Sequence, residues 1–395
     1  ITVGERANVT GSRKFARLIR EERYDEALAI TRVQAEQGAQ IIDICMDDPM
    51  LDAEAAMRRF LRLLSADPLT ASVPLMIDSS SWPVIETALG EIQGRSIVNS
   101  ISLKEGEKEF LAKARYIHAM GALPMVMLFD ENGQADTFER KCSVAERVYG
   151  LIVTETDIDP ASLIIDPNIL SIATGIDEHD TYARDFIRAV AWIKERFPPV
   201  KISGGLSNLS FAFRGNNMLR EAIHAVFLEL AVAAGLDMAI VNPAMRISVN
   251  DIPEHALAVI REALLIEKGD GPAARQALID LALSGTLEQV EENNSSKRKK
   301  SEQRPEDVLV RLADAVIHGD DSRLAGDLKE TEEMDPVALI EGPLMNAMSR
   351  VGEMFGEGKL FLPQVVRSAR TMKKAVDMLS PRLEASMSVL SRKTG

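Results

Sequence analysis

The fold class predicted by the sequence is α/β: a closed (β/α)8 TIM barrel followed by a small all-α four-helix bundle. Three observations predict it. Eight short apolar runs alternate with amphipathic stretches over roughly the first 280 residues. A dense polar stretch, Glu288–Asp307, then breaks the pattern. Beyond it helical periodicity continues with no strand pattern. Strands alternating with helices make a parallel sheet, and eight in this length favour closure over an open doubly wound sheet.

The strand candidates are Ile1–Arg6, Ile41–Cys45, Leu75–Ser79, Ile97–Ser102, Pro124–Phe129, Leu163–Pro167, Lys201–Leu206 and Met238–Pro243. They are continuous apolar runs, as strands buried on both faces are. In the helix Tyr24–Gly38, Ala27, Ile30, Val33 and Ala35 are expected on an inner face, with Gly38 as C-cap. Ala53–Leu64, Phe110–Met120 and Glu139–Val153 read the same way. The polar stretch has no apolar periodicity and reads as a solvated linker, with the basic run Lys297–Lys300 as part of it. Four helices follow: Val308–His318, Ser322–Glu332, Pro336–Phe355 and Pro363–Leu379. Both long ones open with Pro in the first turn, and fraying is expected after Pro381. The expected boundaries are 1–285 for the barrel, 286–304 for the linker, 305–385 for the bundle and 386–395 for a tail.

Composition narrows the function. The 395 residues are 46% apolar and 27% charged, the profile of a soluble globular protein. Lys and Arg number 46 against 60 Asp and Glu, a formal net charge of −14 that argues against a nucleic-acid partner. No apolar run is long enough for a membrane span. Two cysteines, Cys45 and Cys142, are too few for a disulfide framework or a Cys-rich zinc site, so a reducing cytoplasm is expected. Ile1 falls inside a strand candidate, so the chain is expected to be a piece of a longer protein.

In such a barrel the C-terminal strand ends and the loops after them form the active site. Those positions hold Glu5 and Asn8, Asp43 and Asp47, Asp78, Asn99, Asp130, Asp166 and Asn168, Gly204 and Gly205, Asn208 with Arg214 shortly after, and Asn242. Carboxylates and carboxamides dominate. Such a ring suits a neutral heterocycle rich in N–H donors and carbonyl acceptors. Asp and Asn after a strand also cap the next helix, and the paired glycines suit either a phosphate site or a turn. Asp43, Asp47 and Asp48 read as caps rather than a cation site. His118, His224 and His255 fall in helices with structural roles expected, and His179 lies in a loop. Neither a serine–base pair nor an HExxH run appears.

The ordered set Gly4-Glu5-Arg6, Asn8-Val9-Thr10-Gly11, Ile77-Asp78-Ser79-Ser80, Ile97-Val98-Asn99-Ser100, Phe129-Asp130-Glu131, Asp166-Pro167-Asn168, Ser203-Gly204-Gly205, Ser207-Asn208 and Phe213-Arg214-Gly215-Asn216 resembles the methyltetrahydrofolate-binding module of cobalamin-dependent methionine synthases. Residues 305–385, with Ile340-Glu341-Gly342-Pro343-Leu344-Met345 and Val351-Gly352-Glu353-Met354-Phe355, resemble the helical cap of that family's cobalamin module. The family's upstream homocysteine module, with its cysteine-ligated zinc, has no counterpart here. Nor has the Asp-x-His-x-x-Gly motif of the cobalamin domain that follows the cap.

The resemblance implies a pterin-binding barrel and a cap, acting as a methyltransferase in methionine biosynthesis. The methyl group would pass from N5 of 5-methyltetrahydrofolate to cobalamin held by a domain absent from this chain. It implies Asp78, Asn99 and Asp166 on the pterin's polar edge, and Asn208 near N5. Asp78 and Asn208 carry the catalytic expectation. Glu5, Asn8, Asp130 and Asn168 would support the site, Gly204 and Gly205 would line it, and Arg214 would meet the glutamate tail. Phe355 and Leu362 would cover the corrin; without the resemblance they read as bundle core. A cytoplasmic monomer is expected, partnered by folate and by the cobalamin and homocysteine modules of the longer enzyme. Two other readings stay open: a non-catalytic folate-binding and corrinoid-capping fragment, and a dihydropteroate synthase-like pterin enzyme.

Overall fold

The computed structural model describes all residues except 246, 268, 288–304, 306, 357–359, 361 and 394–395; the side chains of 362–364 and 384–393 are also outside the description. Residues 288–304 of the expected linker, Lys297–Lys300 among them, thus lie outside it. The chain divides into two compact units, with the division between residues 292 and 293.

Among its described residues the first unit holds ten strands: β1 Thr2–Asn8, β2 Ile41–Cys45, β3 Leu75–Asp78, β4 Ile97–Ile101, β5 Leu123–Met127, β6 Phe129–Asp130, β7 Gly133–Gln134, β8 Ile164–Asp166, β9 Lys201–Ile202 and β10 Ala239–Val241. Eight pair in parallel in the order β10-β1-β2-β3-β4-β5-β8-β9. The ring closes between β9 and β10 through a parallel bridge from Gly205 to Ile240, with Ile240 N donating to Gly204 O at 2.9 Å. β6 and β7 form an antiparallel hairpin beyond β5. The fifth strand therefore ends at Met127, and Phe129 belongs to the hairpin instead.

Packing explains the elements. Val3, Ile41, Met76, Ile97, Met125, Ile164, Met238 and Ile240 form one apolar cluster, the floor inside the barrel. The alternate strand residues, such as Ile42, Ile77, Val98 and Ile165, face outward to the helices. The helix Tyr24–Glu36 buries Ala27, Thr31, Gln34 and Ala35, while Val33 stays 46% exposed, contrary to expectation. At 100° per residue, positions 27, 31 and 34 share a stripe and 33 falls off it. Gln34 earns its burial at a bulge. The β1–β2 register shifts between Gly4 and Ala7, and Gln34 Oε1 accepts from Arg6 N at 2.7 Å. A Cβ on Gly4 would come within 2.6 Å of that oxygen, so a larger residue there would displace Gln34 from the bulge.

The second unit contains helices Val308–His318 and Leu324–Glu330, a run from Pro336 to Gly356, and Leu362–Lys393. Within the run, Ile340–Leu344 widens to a π-turn around Pro343, which has no N–H to donate. Leu312, Val316, Leu324, Leu328, Leu339, Leu344, Ala347, Ala375 and Leu379 make the core. The final helix continues through Pro381 to Lys393, where fraying was expected. Proline removes one helical bond without ending the helix here. Among the described residues no helix is long and apolar enough to cross a membrane.

Candidate active site at the barrel mouth

Strand alternation builds the polar ring. On β2, β3, β4 and β8 the floor residues are Ile41, Met76, Ile97 and Ile164. Two positions further on the same face come Asp43, Asp78, Asn99 and Asp166. The C-terminal half of each strand therefore turns a carboxylate or an amide inward above an apolar base.

Asn8, at the end of β1, ties the ring together. Its Nδ2 donates to Asp78 Oδ2 at 2.9 Å and to Asp43 Oδ2 at 3.1 Å. Its Oδ1 accepts from Thr10 N, Thr10 Oγ1 and Gly11 N at 2.9, 2.6 and 3.1 Å. Burial, then the Asp78 charge, pushes the Asp43 carboxyl well above its usual range, and the hydrogen bond from Asn8 opposes that shift. Burial, then the Asp47 charge, raises Asp78. Asp48 serves a local turn, accepting from Met50 N at 2.9 Å, whereas Asp47, expected as a cap, instead ties its loop to the end of β3, accepting from Ser79 Oγ and Ser80 N at 2.6 Å each. Asp43 does neither; it is part of the ring, which the sequence reading missed.

On the opposite side, Asp166 Oδ1 accepts from Asn168 N at 2.8 Å, and Asn168 adopts left-handed backbone at φ 63°. Asn168 Nδ2 donates to Leu128 O at 2.9 Å. Burial pushes Asp166 up to about 6. Lys141, fully buried, donates from Nζ to Pro167 O at 2.6 Å, Ala135 O at 2.9 Å and Asn168 O at 3.2 Å. Burial brings it down to about 8. No cation was expected at this strand end. Lys141 reaches it from the helix Phe138–Glu155, where its spacing from Val144, Ala145 and Val148 on the buried face was the available signal.

The remaining candidates divide. Asp130 is engaged in its hairpin, accepting from Asn132 N at 2.8 Å and Arg140 Nη2 at 2.9 Å. Glu5 accepts from Ser207 Oγ at 2.7 Å, and burial raises its carboxyl. Asn208 is exposed at the end of the 3-10 turn Leu206–Asn208, and its Nδ2 lies 3.5 Å from where a Gly205 Cβ would stand. A Cβ on Gly204 would lie 2.6 Å from Ile169 Cδ1, so close packing accounts for that glycine. Arg214 is exposed and lies over the Phe211 ring at 4.0 Å. His179 Nδ1 lies 2.7 Å from Thr174 Oγ1, and Cys45 is buried. Asp43 Oδ1, Asn168 Oδ1 and Ser203 Oγ are buried without a hydrogen-bond partner. Such atoms carry a desolvation penalty that a polar ligand relieves. In the second unit Phe355 is 45% exposed rather than in the core, and the side chain of Leu362 lies outside the described residues.

The family model for the B12 binding domain matches residues 308–380. Similar solved structures include the dihydropteroate synthase of Xanthomonas albilineans in complex with 7,8-dihydropteroate, 18% identical over 67% of this chain and 94% of that one, at a TM-score of 0.43. The Yersinia pestis dihydropteroate synthase is 15% identical, covering 66% and 90%, at 0.43. The 7,8-dihydropteroate synthase of Vibrio fischeri ES114 is 15% identical, covering 66% and 91%, at 0.42. The family model for the pterin binding enzymes spans residues 4–242, most of the chain and every strand from the bulge of β1 to the end of β10, and the chain belongs to that family.

Proposed function

We propose that the barrel binds 5-methyltetrahydrofolate and that its methyl group is transferred from N5 to cob(I)alamin, the folate half-reaction of methionine synthesis. The observation that carries this reading is the pairing, in one chain, of the pterin-binding match over 4–242 with the B12-binding match over 308–380. The character of the mouth supports it: Asp78, Asn99 and Asp166 offer acceptors and an amide to a ring rich in N–H groups, above an apolar floor.

Breaking the N5–methyl bond leaves the electron pair on N5, so negative charge grows there until N5 takes a proton from solvent to give tetrahydrofolate. Asn208 is the amide assigned to donate to N5 as that charge develops. Asp78, Asn99 and Asp166 fix the pterin in plane, and Asn8 holds Asp78 from behind. Arg214 is assigned to the glutamate tail. The exposed apolar side chains of the second unit, Phe355, Met345 and Met378, suit the face of a large flat macrocycle. Phe355, with Leu362, is assigned to cover it. The corrinoid, when bound, supplies the nucleophile.

The test is absorbance. The full chain is mixed with 5-methyltetrahydrofolate and reduced free cobalamin, and loss of the cob(I)alamin band is followed. Turnover supports methyl transfer. Folate binding without turnover would favour a non-catalytic role.

A further inference from the structure

The Leu206–Asn208 turn is gripped from two sides. Ser207 Oγ donates to Glu5 Oε1 at 2.7 Å, across 202 residues of sequence. Ser207 O accepts from Arg220 Nη2 at 3.3 Å. Arg220 stands on the helix Asn217–Ala233, and its Nε donates to Ser210 Oγ at 2.9 Å. Ser210 is fully buried, and its Oγ lies 2.7 Å from His224 Nε2. Burial brings His224 down to about 3, so the ring is neutral. His224 lies one helical turn beyond Arg220, so two points of one rigid element anchor Ser210. Glu5 reaches the turn from the bulge of β1.

We propose that Arg220 is a positioning residue that, with Glu5, fixes the Leu206–Asn208 turn so that the Asn208 amide faces the reacting end of a bound pterin. This rests on the role given to Asn208 above. The guanidinium suits the task because one planar fork serves Ser210 Oγ and Ser207 O together, which a single ammonium does less well.

The experiment uses the full chain with Arg220→Met, Arg220→Lys and Ser207→Ala. Hydrogen exchange by mass spectrometry reads peptides over 206–213 against the floor strands. Calorimetry reads 5-methyltetrahydrofolate affinity, and absorbance reads methyl transfer to free cob(I)alamin. In Arg220→Met, exchange over 206–213 should rise about tenfold with the floor strands unchanged. Methyl transfer should fall about tenfold, with folate Kd moving less than about threefold. Arg220→Lys should recover part of both losses. If Arg220→Met does not fold, Ser207→Ala, which loses only the bond to Glu5, carries the same measurement. Unchanged exchange over 206–213, or an equal rise across the whole barrel, overturns the proposal. An exchange response in a chain whose unsubstituted form transfers no methyl group upholds the positioning role and rejects the methyl-transfer reading instead.

Discussion

The side-chain amide of Asn8 lies 2.9 Å from the carboxylate of Asp78, joining β1 to β3 across the inner face of β2. The same nitrogen reaches Asp43 at 3.1 Å. A buried and a half-buried acid thus share one donor, and both are held above their usual range.

Burial of the carboxylates at the mouth sets a pH dependence. Folded Asp78 and Asp166 retain protons that unfolded carboxylates, titrating near about 4, have released. These two groups bind more protons in the folded chain in that window, so the stability they contribute falls as pH rises from about 4 toward neutrality. Asp78→Asn removes one such group and should raise the melting temperature at pH 7.5, by roughly 2–4 °C for each kcal/mol relieved. It should also flatten the decline between pH 5 and 7.5. Folate affinity should drop about tenfold or more, because a charged acceptor is lost. Thermal melts at both pH values and calorimetry check this; an unchanged melting temperature would contradict it.

Asn208→Ala should separate rate from affinity. A donor to a charge that grows only in the transition state affects kcat more than ground-state binding. Loss of a comparable oxyanion donor lowers rate roughly 10²–10³-fold. Methyl transfer should fall by that order while folate Kd stays within about threefold. Equal losses in both would place Asn208 in simple binding.

Folate binding should survive truncation after residue 285, because every pterin-facing candidate lies on a barrel strand or the turn beyond it. Calorimetry on the shortened chain, after circular dichroism shows it folded, is the measurement. A folded barrel without folate affinity would show that the second unit completes the site.

Phe355→Ala should leave folate affinity and stability nearly unchanged, since the ring is 45% exposed. Binding of added cobalamin by the full chain should weaken. Spectral titration with cobalamin reads the difference, and an identical titration would remove Phe355 from that surface.

Lys141→Met should destabilise the barrel by about 2–4 kcal/mol, because three buried carbonyls lose their donor. Urea unfolding gives the value. A change within about 0.5 kcal/mol would mean that the Pro167 and Asn168 carbonyls find other partners.

Legibility in the sequence followed reach. Asp78, Asn99 and Asp166 were readable because each stands two positions beyond a floor residue on a short apolar strand. Lys141 and Arg220 were not, because each projects from a helix and meets the mouth through a long side chain whose target is set by tertiary packing. Lys141 bonds carbonyls 26 and 27 residues away, and Glu5 meets Ser207 across 202. Val33 and Gln34 show the opposite error: residue type suggested Val33 for the inner face, while helical phase gave the place to Gln34. Asp43 was grouped with Asp47 and Asp48 as a cap because all three come at a strand end, yet only Asp43 sits inside the strand, where alternation turns it inward.

Asn8 carries one more consequence. Both hydrogens of its amide nitrogen point at carboxylates, and its oxygen is met by three donors. Turning the amide over would set its oxygen against two acids and its nitrogen against three donors, so a single rotamer is enforced. Its rotational entropy is already lost on folding. On the reading proposed above, a ligand entering the mouth would meet acceptors held at a fixed spacing. Asn8 would then act as a rigid strut, favouring ligands by the separation of their N–H groups rather than by their overall size.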